Sequence, residues 1–81
     1  MINENIPEDP VERAKWYEEA AAKGDVKAQE MLGDCFYKGI GVEKNLDSAL
    51  SWYGKAVING SESAADKVAE INLKQRHMRW M

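Results

Sequence analysis

The pattern of large and small residues in this chain occurs twice, at an interval of 36 residues. The aromatic pair Trp16-Tyr17 returns as Trp52-Tyr53. The small residues that return at the same interval are Ala20 as Ala56, Gly24 as Gly60, and Ala28 as Ala64. Stacked helical hairpins need this pattern, because one hairpin cannot bury its apolar face alone. The repeat therefore predicts an all-α fold, an α/α solenoid of about two helical hairpins with four helices.

Capping residues and the spacing of apolar side chains locate the four helices. Asp9-Pro10 is a typical helix start, because aspartate caps free N–H groups and proline fits the first turn. Asp25 and Ser61 can cap the second and fourth helices, while Asn45 and Asp47 are both candidates for the start of the third. The predicted helices cover about 11–23, 25–38, 45–59 and 61–75.

The segments outside these helices are a loop and two ends. The glycines of Gly39-Ile40-Gly41-Val42 favour a loop over 39–46, with its two branched residues turned inward. Residues 1–9 carry acidic side chains and no apolar period, so they are predicted to form a flexible acidic arm. Residues 76–81 form a basic and aromatic tail, which leaves 10–75 as the repeat domain.

The size and charge of the chain exclude several classes of function. Its 81 residues allow one domain. The net charge of -3 does not provide the positive charge that neutralises nucleic-acid phosphates. The sequence contains no run of about 18 apolar residues that could span a bilayer, and no signal peptide pattern at its start. We therefore expect a cytoplasmic protein that binds neither nucleic acid nor membrane.

Side chains that could carry out chemistry are few. His77 is the single histidine and Cys35 the single cysteine, so they provide neither a metal cluster nor an internal disulfide. Cys35 lies on the apolar stripe of the second predicted helix, where a thiol is inert. Gly39-x-Gly41 lacks the third glycine and the lysine of phosphate-binding loops. We predict no enzymatic activity, no metal site and no cofactor.

A family resemblance rests on two motifs. They are Ala28-x-x-x-Leu32-Gly33-x-x-Phe36-x-x-Gly39-x-Gly41-Val42 and Ala49-x-x-Trp52-Tyr53-x-x-Ala56. Together they resemble a Sel-one-like repeat, a family related to the tetratricopeptide repeat. One full repeat covers 28–60, and the resemblance extends over 10–73. Ala69 and Asn72 replace a glycine and an aromatic residue of the motif, which indicates a terminal capping helix.

The resemblance implies a solenoid that serves as an adaptor or scaffold and binds a protein or peptide on its concave surface. That surface would be lined by the first helix of each hairpin, here 25–38 and 61–75. In these two helices, the apolar residues spaced at three and four are predicted to face the core. The remaining residues include the candidate binding residues Lys27, Glu30, Asp34, Tyr37, Lys38, Ser63, Asp66, Glu70 and Lys74.

Four of the candidate binding residues are carboxylates that repeat in pairs. Glu30 aligns with Asp66, and Asp34 with Glu70, at the interval of 36 residues. Stacking would place these carboxylates along one face, which predicts a groove for a basic partner bearing lysine or arginine. The alternative is a solvated face whose charges are modulated by nearby lysines.

Two further features leave the role of the chain open. Trp80, between Arg79 and Met81, either folds back on the last helix or anchors a partner. A homodimer would complete the stack, because repeat arrays usually need about three units for stability. Besides an adaptor, the small acidic chain fits an immunity or inhibitor protein that neutralises a toxin or enzyme, or an enzyme accessory subunit.

Overall fold

The structure, a computed structural model, describes residues 6–80, with side chains described for 6–75. The helices, in chain order, are α1 (Pro10–Ala22), α2 (Val26–Lys38), α3 (Leu46–Ile58) and α4 (Glu62–Trp80). No strand occurs in this part of the chain. α2 packs against α1 and α3, and α3 packs against α4. This stack of helices confirms the predicted all-α solenoid.

The predicted capping residues stand at the helix starts. The side chains of Asp9, Asp25, Asn45 and Ser61 each accept a hydrogen bond from the backbone N–H three residues further on, at 3.0–3.1 Å. These bonds satisfy N–H groups that the first turn of a helix leaves without a partner. The start of α3, for which Asp47 was the other candidate, is therefore fixed by Asn45.

α4 is longer than the sequence pattern predicted. It continues to Trp80, beyond the expected end near residue 75. No glycine or proline follows Ser61, so nothing in the sequence breaks the helix. Even this helix is not apolar over enough of its length to cross a membrane, and the same holds for the other helices of the described chain. The Trp80 side chain lies outside the described residues, and its proposed anchor role stays a prediction.

The segment 6–9 differs from the predicted flexible arm. Ile6 is partly buried against the core formed by α1 and α2. Arg13 donates hydrogen bonds to the backbone oxygens of Pro7 and Glu8, at 2.9 and 3.1 Å. Ile6 precedes Val42 by one repeat interval, and both pack against the same core. The repeat thus begins before α1, while residues 1–5 of the predicted arm lie outside the described residues.

Two clusters of buried residues form the core. The first lies between α1 and α2 and contains Ala14, Tyr17, Ala21, Ala28, Leu32 and Cys35. The second lies between α3 and α4 and contains Ala49, Tyr53, Ala56, Ala64 and Ile71. Phe36 of α2 packs against both clusters. The repeated tyrosines are therefore core residues, and Trp16 and Trp52 are partly buried beside them.

The loop between α2 and α3 is held against the start of α1. Gly41 has a positive φ of 77°, and a β-carbon on it would come within 2.1 Å of the Pro10 carbonyl oxygen. Only glycine allows both this backbone conformation and this approach. Val42 turns inward as predicted, but Ile40 does not, since it is 41% exposed.

Candidate functional site

A lysine of α4 joins two carboxylates of α2. Lys67 Nζ lies 3.2 Å from Oε2 of Glu30 and 2.9 Å from Oδ1 of Asp34. The two acids are one helical turn apart, so they reach the same face of α2. Their side chains are 10% and 21% exposed, and that of Lys67 is 33% exposed. The ion pairs are therefore partly shielded from water, unlike pairs on an open surface.

Hydroxyl groups complete the hydrogen bonds of the two carboxylates. Ser61 and Ser63 donate to Oε1 of Glu30 at 3.1 and 3.3 Å. Tyr53 of α3 donates to Asp34. We call this set the Lys67 network; its members are Glu30, Asp34, Tyr53, Ser61, Ser63 and Lys67. It links α2, α3 and α4 through side chains.

The Lys67 network shifts the pKa values of its members. Burial acts to raise the pKa of Glu30, but the hydrogen bonds from Lys67 and the two serines outweigh it, and the pKa is lowered. Burial acts to lower the pKa of Lys67, but its bonds to Asp34 and Glu30 outweigh it, and the pKa is raised. Burial, followed by the bond to Asp34, raises the pKa of Tyr53 far above its ordinary value. At pH 7, Glu30 and Lys67 are thus charged and Tyr53 is neutral.

The α2/α4 face, the surface formed by the nine candidate binding residues and Lys67, carries no excess of negative charge. Glu30 is buried rather than facing a groove, because Lys67 and the serines cover its carboxylate. The face holds the four predicted carboxylates, at 30, 34, 66 and 70, and four lysines, at 27, 38, 67 and 74. The four carboxylates from which a basic partner was predicted are therefore matched by an equal number of lysines on this face.

The structure separates the nine predicted residues by exposure. Glu30 is buried, while Asp34 and Tyr37 are partly buried. The other six are exposed: Lys27, Lys38, Ser63, Asp66, Glu70 and Lys74. The exposed members can contact a partner directly, whereas Glu30 and Asp34 hold the face together.

Three of the predicted residues form a second contact between α2 and α4. Lys74 Nζ donates a hydrogen bond to the Tyr37 hydroxyl at 2.8 Å and lies 3.3 Å from Oε2 of Glu70. The bond to Tyr37, followed by that to Glu70, raises the pKa of Lys74. Within the described chain, Lys27, Lys38 and Asp66 make no ion pair.

An open cleft of about 460 Å³ lies beside Tyr37 and Lys74. Its walls come from the end of α2, the following loop, the start of α3 and the middle of α4. We call it the lysine cleft, since its lining includes Lys38, Lys44 and Lys74 together with Tyr37, Leu46 and Ile71. Lys44 and Leu46 were not among the residues predicted to bind a partner.

The described residues offer little that could perform catalysis. Cys35 is 6% exposed, and burial, followed by the nearby Asp34 carboxylate, raises the pKa of its thiol. A thiol with a raised pKa is a poor nucleophile, because the thiolate is the reactive form. Among residues whose side chains are described, no group of histidine, cysteine and acidic residues is arranged to hold a metal ion.

Three members of the Lys67 network were not predicted as site residues: Lys67, Tyr53, and Ser61, which was predicted only as a helix cap. Lys67 aligns with Met31 at the repeat interval, so the repeat gives it no special status. A signal was nevertheless present. Glu30 and Asp34 lie one turn apart on a helix, and such like charges repel unless a cation lies between them.

The fold and the α2/α4 face define a protein built from stacked helical hairpins, with a structured polar face and no evident catalytic centre in the described residues. A family model for the Sel1 repeat matches residues 4–25 and 26–61. The chain therefore belongs to the Sel1 repeat family, which confirms the resemblance seen in its motifs. This family is typically a non-catalytic interaction module.

Related proteins share the repeat but are mostly much longer. A Sel1 repeat protein from Oxalobacter formigenes, whose crystal structure is known, is 42% identical with a TM-score of 0.75, over 76% of this chain and 47% of that chain. The rat DAP3-binding cell death enhancer 1 is 35% identical over 78% of this chain and 12% of its own length. Chitin synthase regulatory factor 3 of Schizosaccharomyces pombe is 35% identical over 89% of this chain and 8% of its own length. The chain thus spans only a small part of these two relatives.

Proposed function

We propose that this chain is a protein-interaction module that binds another protein or a peptide through the exposed side chains of the α2/α4 face. The observation that carries the proposal is the Lys67 network. It fixes α2 and α4 relative to each other by ion pairs and hydrogen bonds that reach across from one helix to the other. A face that is already ordered loses little conformational freedom when a partner binds.

The chemistry of the face also supports recognition of a protein. Lys27, Lys38 and Asp66 are exposed and take part in no ion pair among the described residues. Both signs of charge are therefore available to a partner, together with the partly buried ring of Tyr37. Mixed charges beside an aromatic ring favour a specific protein contact, because complementary charges set orientation and the ring supplies buried area.

The names of the relatives are consistent with this proposal. One is described as binding DAP3, and another as a regulatory factor of chitin synthase. Both descriptions concern an effect on another protein. An immunity or inhibitor protein would use the same kind of contact, and it would differ from an adaptor in what happens to the bound partner.

Site-specific photocrosslinking tests the proposal. A photoreactive residue is placed at Lys27 or Asp66 on the α2/α4 face, and in control variants at Glu19 of α1 or Ser51 of α3, which are also exposed. We expect one protein to be captured from the two face positions and not from the control positions. Capture from the control positions alone, or equally from all four, would overturn the proposal, and a product of twice the chain's mass would identify the partner as a second copy.

The captured protein then allows a quantitative measurement. With the purified partner, the double variant K27E/D66K keeps the net charge of the chain but reverses two charges on the face. We expect it to weaken binding at least 10-fold, whereas K15E/E19K, which reverses two exposed charges of α1, leaves binding within 2-fold. Unchanged affinity in K27E/D66K would exclude the face.

A further inference from the structure

The lysine cleft combines positive charge with an apolar floor. Lys38, Lys44 and Lys74 contribute three ammonium groups, and the side chains of Leu46 and Ile71 line it as well. Ile71 is almost fully buried, and Leu46 is partly buried. Ligand sites usually have a mostly apolar lining with a few polar or charged groups. Such a lining suits an apolar side chain whose neighbours in the peptide are polar.

The positive charge of the cleft is only partly neutralised. Lys38 and Lys44 have no carboxylate within ion-pair distance among the described residues, and Glu70 pairs with Lys74 alone. The three cleft lysines thus have one carboxylate, Glu70, within ion-pair distance among the described residues, although the chain as a whole has a net charge of -3. A local excess of positive charge on an acidic chain favours an acidic ligand.

The size of the cleft limits what can enter it. A volume of about 460 Å³ falls in the range of roughly 300–1,000 Å³ that is typical of small-ligand sites. It accommodates one apolar side chain and the neighbouring backbone, but no folded element. Free inorganic anions would leave the apolar part of the lining unused, and so would a nucleic-acid backbone.

We propose that the lysine cleft binds an acidic peptide segment of the protein partner, in which an apolar side chain stands between carboxylates. The apolar side chain packs on Leu46 and Ile71, and the flanking carboxylates pair with Lys38, Lys44 and Lys74. This inference rests on the proposed function and narrows it, since it names the chemistry of the partner. It also reverses the basic partner predicted from the sequence.

NMR titration of the full chain with defined peptides tests the proposal. The probe is acetyl-Glu-Glu-Leu-Glu-Glu-amide, and the controls replace every glutamate with glutamine or with lysine. We expect the acidic peptide to shift the resonances of Tyr37, Leu46 and Ile71 and to bind at least 10-fold more tightly than the glutamine peptide. Equal affinity for the two peptides, or shifts spread over the whole surface, would overturn the inference.

Variants with the same change in net charge distinguish binding in the lysine cleft from nonspecific electrostatic attraction of the peptide. K38E/K44E changes two cleft lysines, and K15E/K23E changes two exposed lysines, one in α1 and one at its C-terminal end, by the same total charge. We expect the first variant to weaken binding of the acidic peptide at least 10-fold and the second to weaken it less than 3-fold. An equal loss in both variants contradicts a defined site, as does tighter binding of a thymidine oligonucleotide at the same resonances.

The two proposals fail in different ways. If the peptide does not bind while crosslinking remains confined to the α2/α4 face, the acidic ligand is wrong and the interaction face stands. If the peptide binds, but a partner is crosslinked only from the control positions and not from the α2/α4 face, the proposed function is wrong in its choice of surface.

Discussion

The ring of Tyr53 lies directly on the backbone of Gly33. A β-carbon built on Gly33 would come within 2.6 Å of both Cδ1 and Cε1 of that ring, far closer than carbon atoms approach without repulsion. Tyr53 is fully buried there, and its hydroxyl donates to Asp34, the residue that follows Gly33 in α2. The close approach of α2 and α3 therefore depends on the absence of a side chain at Gly33.

Substitution of Gly33 by alanine should destabilise the protein. The added methyl group displaces the Tyr53 ring, and overpacking of this kind typically costs about 1–3 kcal/mol. Urea unfolding followed by circular dichroism measures the change in the free energy of unfolding. The control is G54A, because a β-carbon on Gly54 of α3 would have no atom within 4 Å. We expect G54A to be stabilised by up to about 1 kcal/mol, since alanine favours a helix; a G33A protein as stable as the wild type would refute the packing argument.

Lys67→Met should also lower stability, for an electrostatic reason. Methionine occupies the equivalent position one repeat earlier, in α2, but at position 67 it would leave Glu30 and Asp34 without a cation. A partly exposed site lies between an open surface pair and a fully buried pair, so we expect a loss of about 1–3 kcal/mol. Lys27→Met, at an exposed position of the same face, should stay within about 0.5 kcal/mol of the wild type. Equal effects of the two changes in urea unfolding would contradict a special role for Lys67.

The stability should depend on pH through the same network. Burial acts to raise the pKa of Glu30 but is outweighed by the bonds from Lys67 and the serines, which lower it below its ordinary 4.5. The ionised carboxylate therefore stabilises the fold above about pH 4.5, and this contribution is lost as the pH falls through the lowered pKa. The pKa of Lys67 is raised above 10.5, so its contribution is present below that pH and is lost as the pH rises further.

Glu30→Gln provides the measurement of this pH dependence. At pH 7 we expect it to lose about 1.5–3 kcal/mol, the usual contribution of hydrogen bonds to a charged group. The difference from the wild type should shrink as the pH falls from 4.5 through the lowered pKa of Glu30, because the wild-type carboxylate becomes protonated over that range. Glu18→Gln on the exposed side of α1 serves as the control. A gap between E30Q and the wild type that is constant from pH 7 to pH 3 would assign the loss to packing instead.

Two glycines with positive φ allow the effect of a steric clash on stability to be separated from the effect of backbone strain. Gly41 and Gly60 both have positive φ angles, of 77° and 106°, so alanine is strained at either position. A β-carbon on Gly41 would also collide with the Pro10 carbonyl, whereas one on Gly60 would meet nothing within 4 Å. We expect G60A to cost about 1–2 kcal/mol and G41A to cost at least about 1 kcal/mol more. Thermal unfolding of the two variants in parallel tests the order, and G60A being the less stable one would reverse the interpretation.

Local signals in the sequence predicted much of the fold. Asp9, Asp25 and Ser61 act on N–H groups only three residues away, so the helix starts could be found without knowing the tertiary structure. Tyr17 and Tyr53, which recur at the repeat interval, are both buried, so the interval marks positions where each half needs a bulky side chain.

The features that the sequence did not predict depend on contacts between distant residues. Lys67 reaches from α4 to α2, and a comparison with its repeat partner Met31 does not reveal this. Ile6 is partly buried because α1 and α2 create a surface for it, although the segment around it has no apolar period. The length of α4 was missed because the repeat pattern ends before the helix does.

Phe36 packs against two core clusters, one between α1 and α2 and the other between α3 and α4. If one half unfolded alone, Phe36 would lose its packing contacts with that half and become exposed to water. The unfolding of the two halves is therefore thermodynamically coupled. We therefore expect a single heat-absorption peak in calorimetry for the whole chain. Phe36 thus adds to the contacts between α2 and α3 that make the two halves of this protein one cooperative unit.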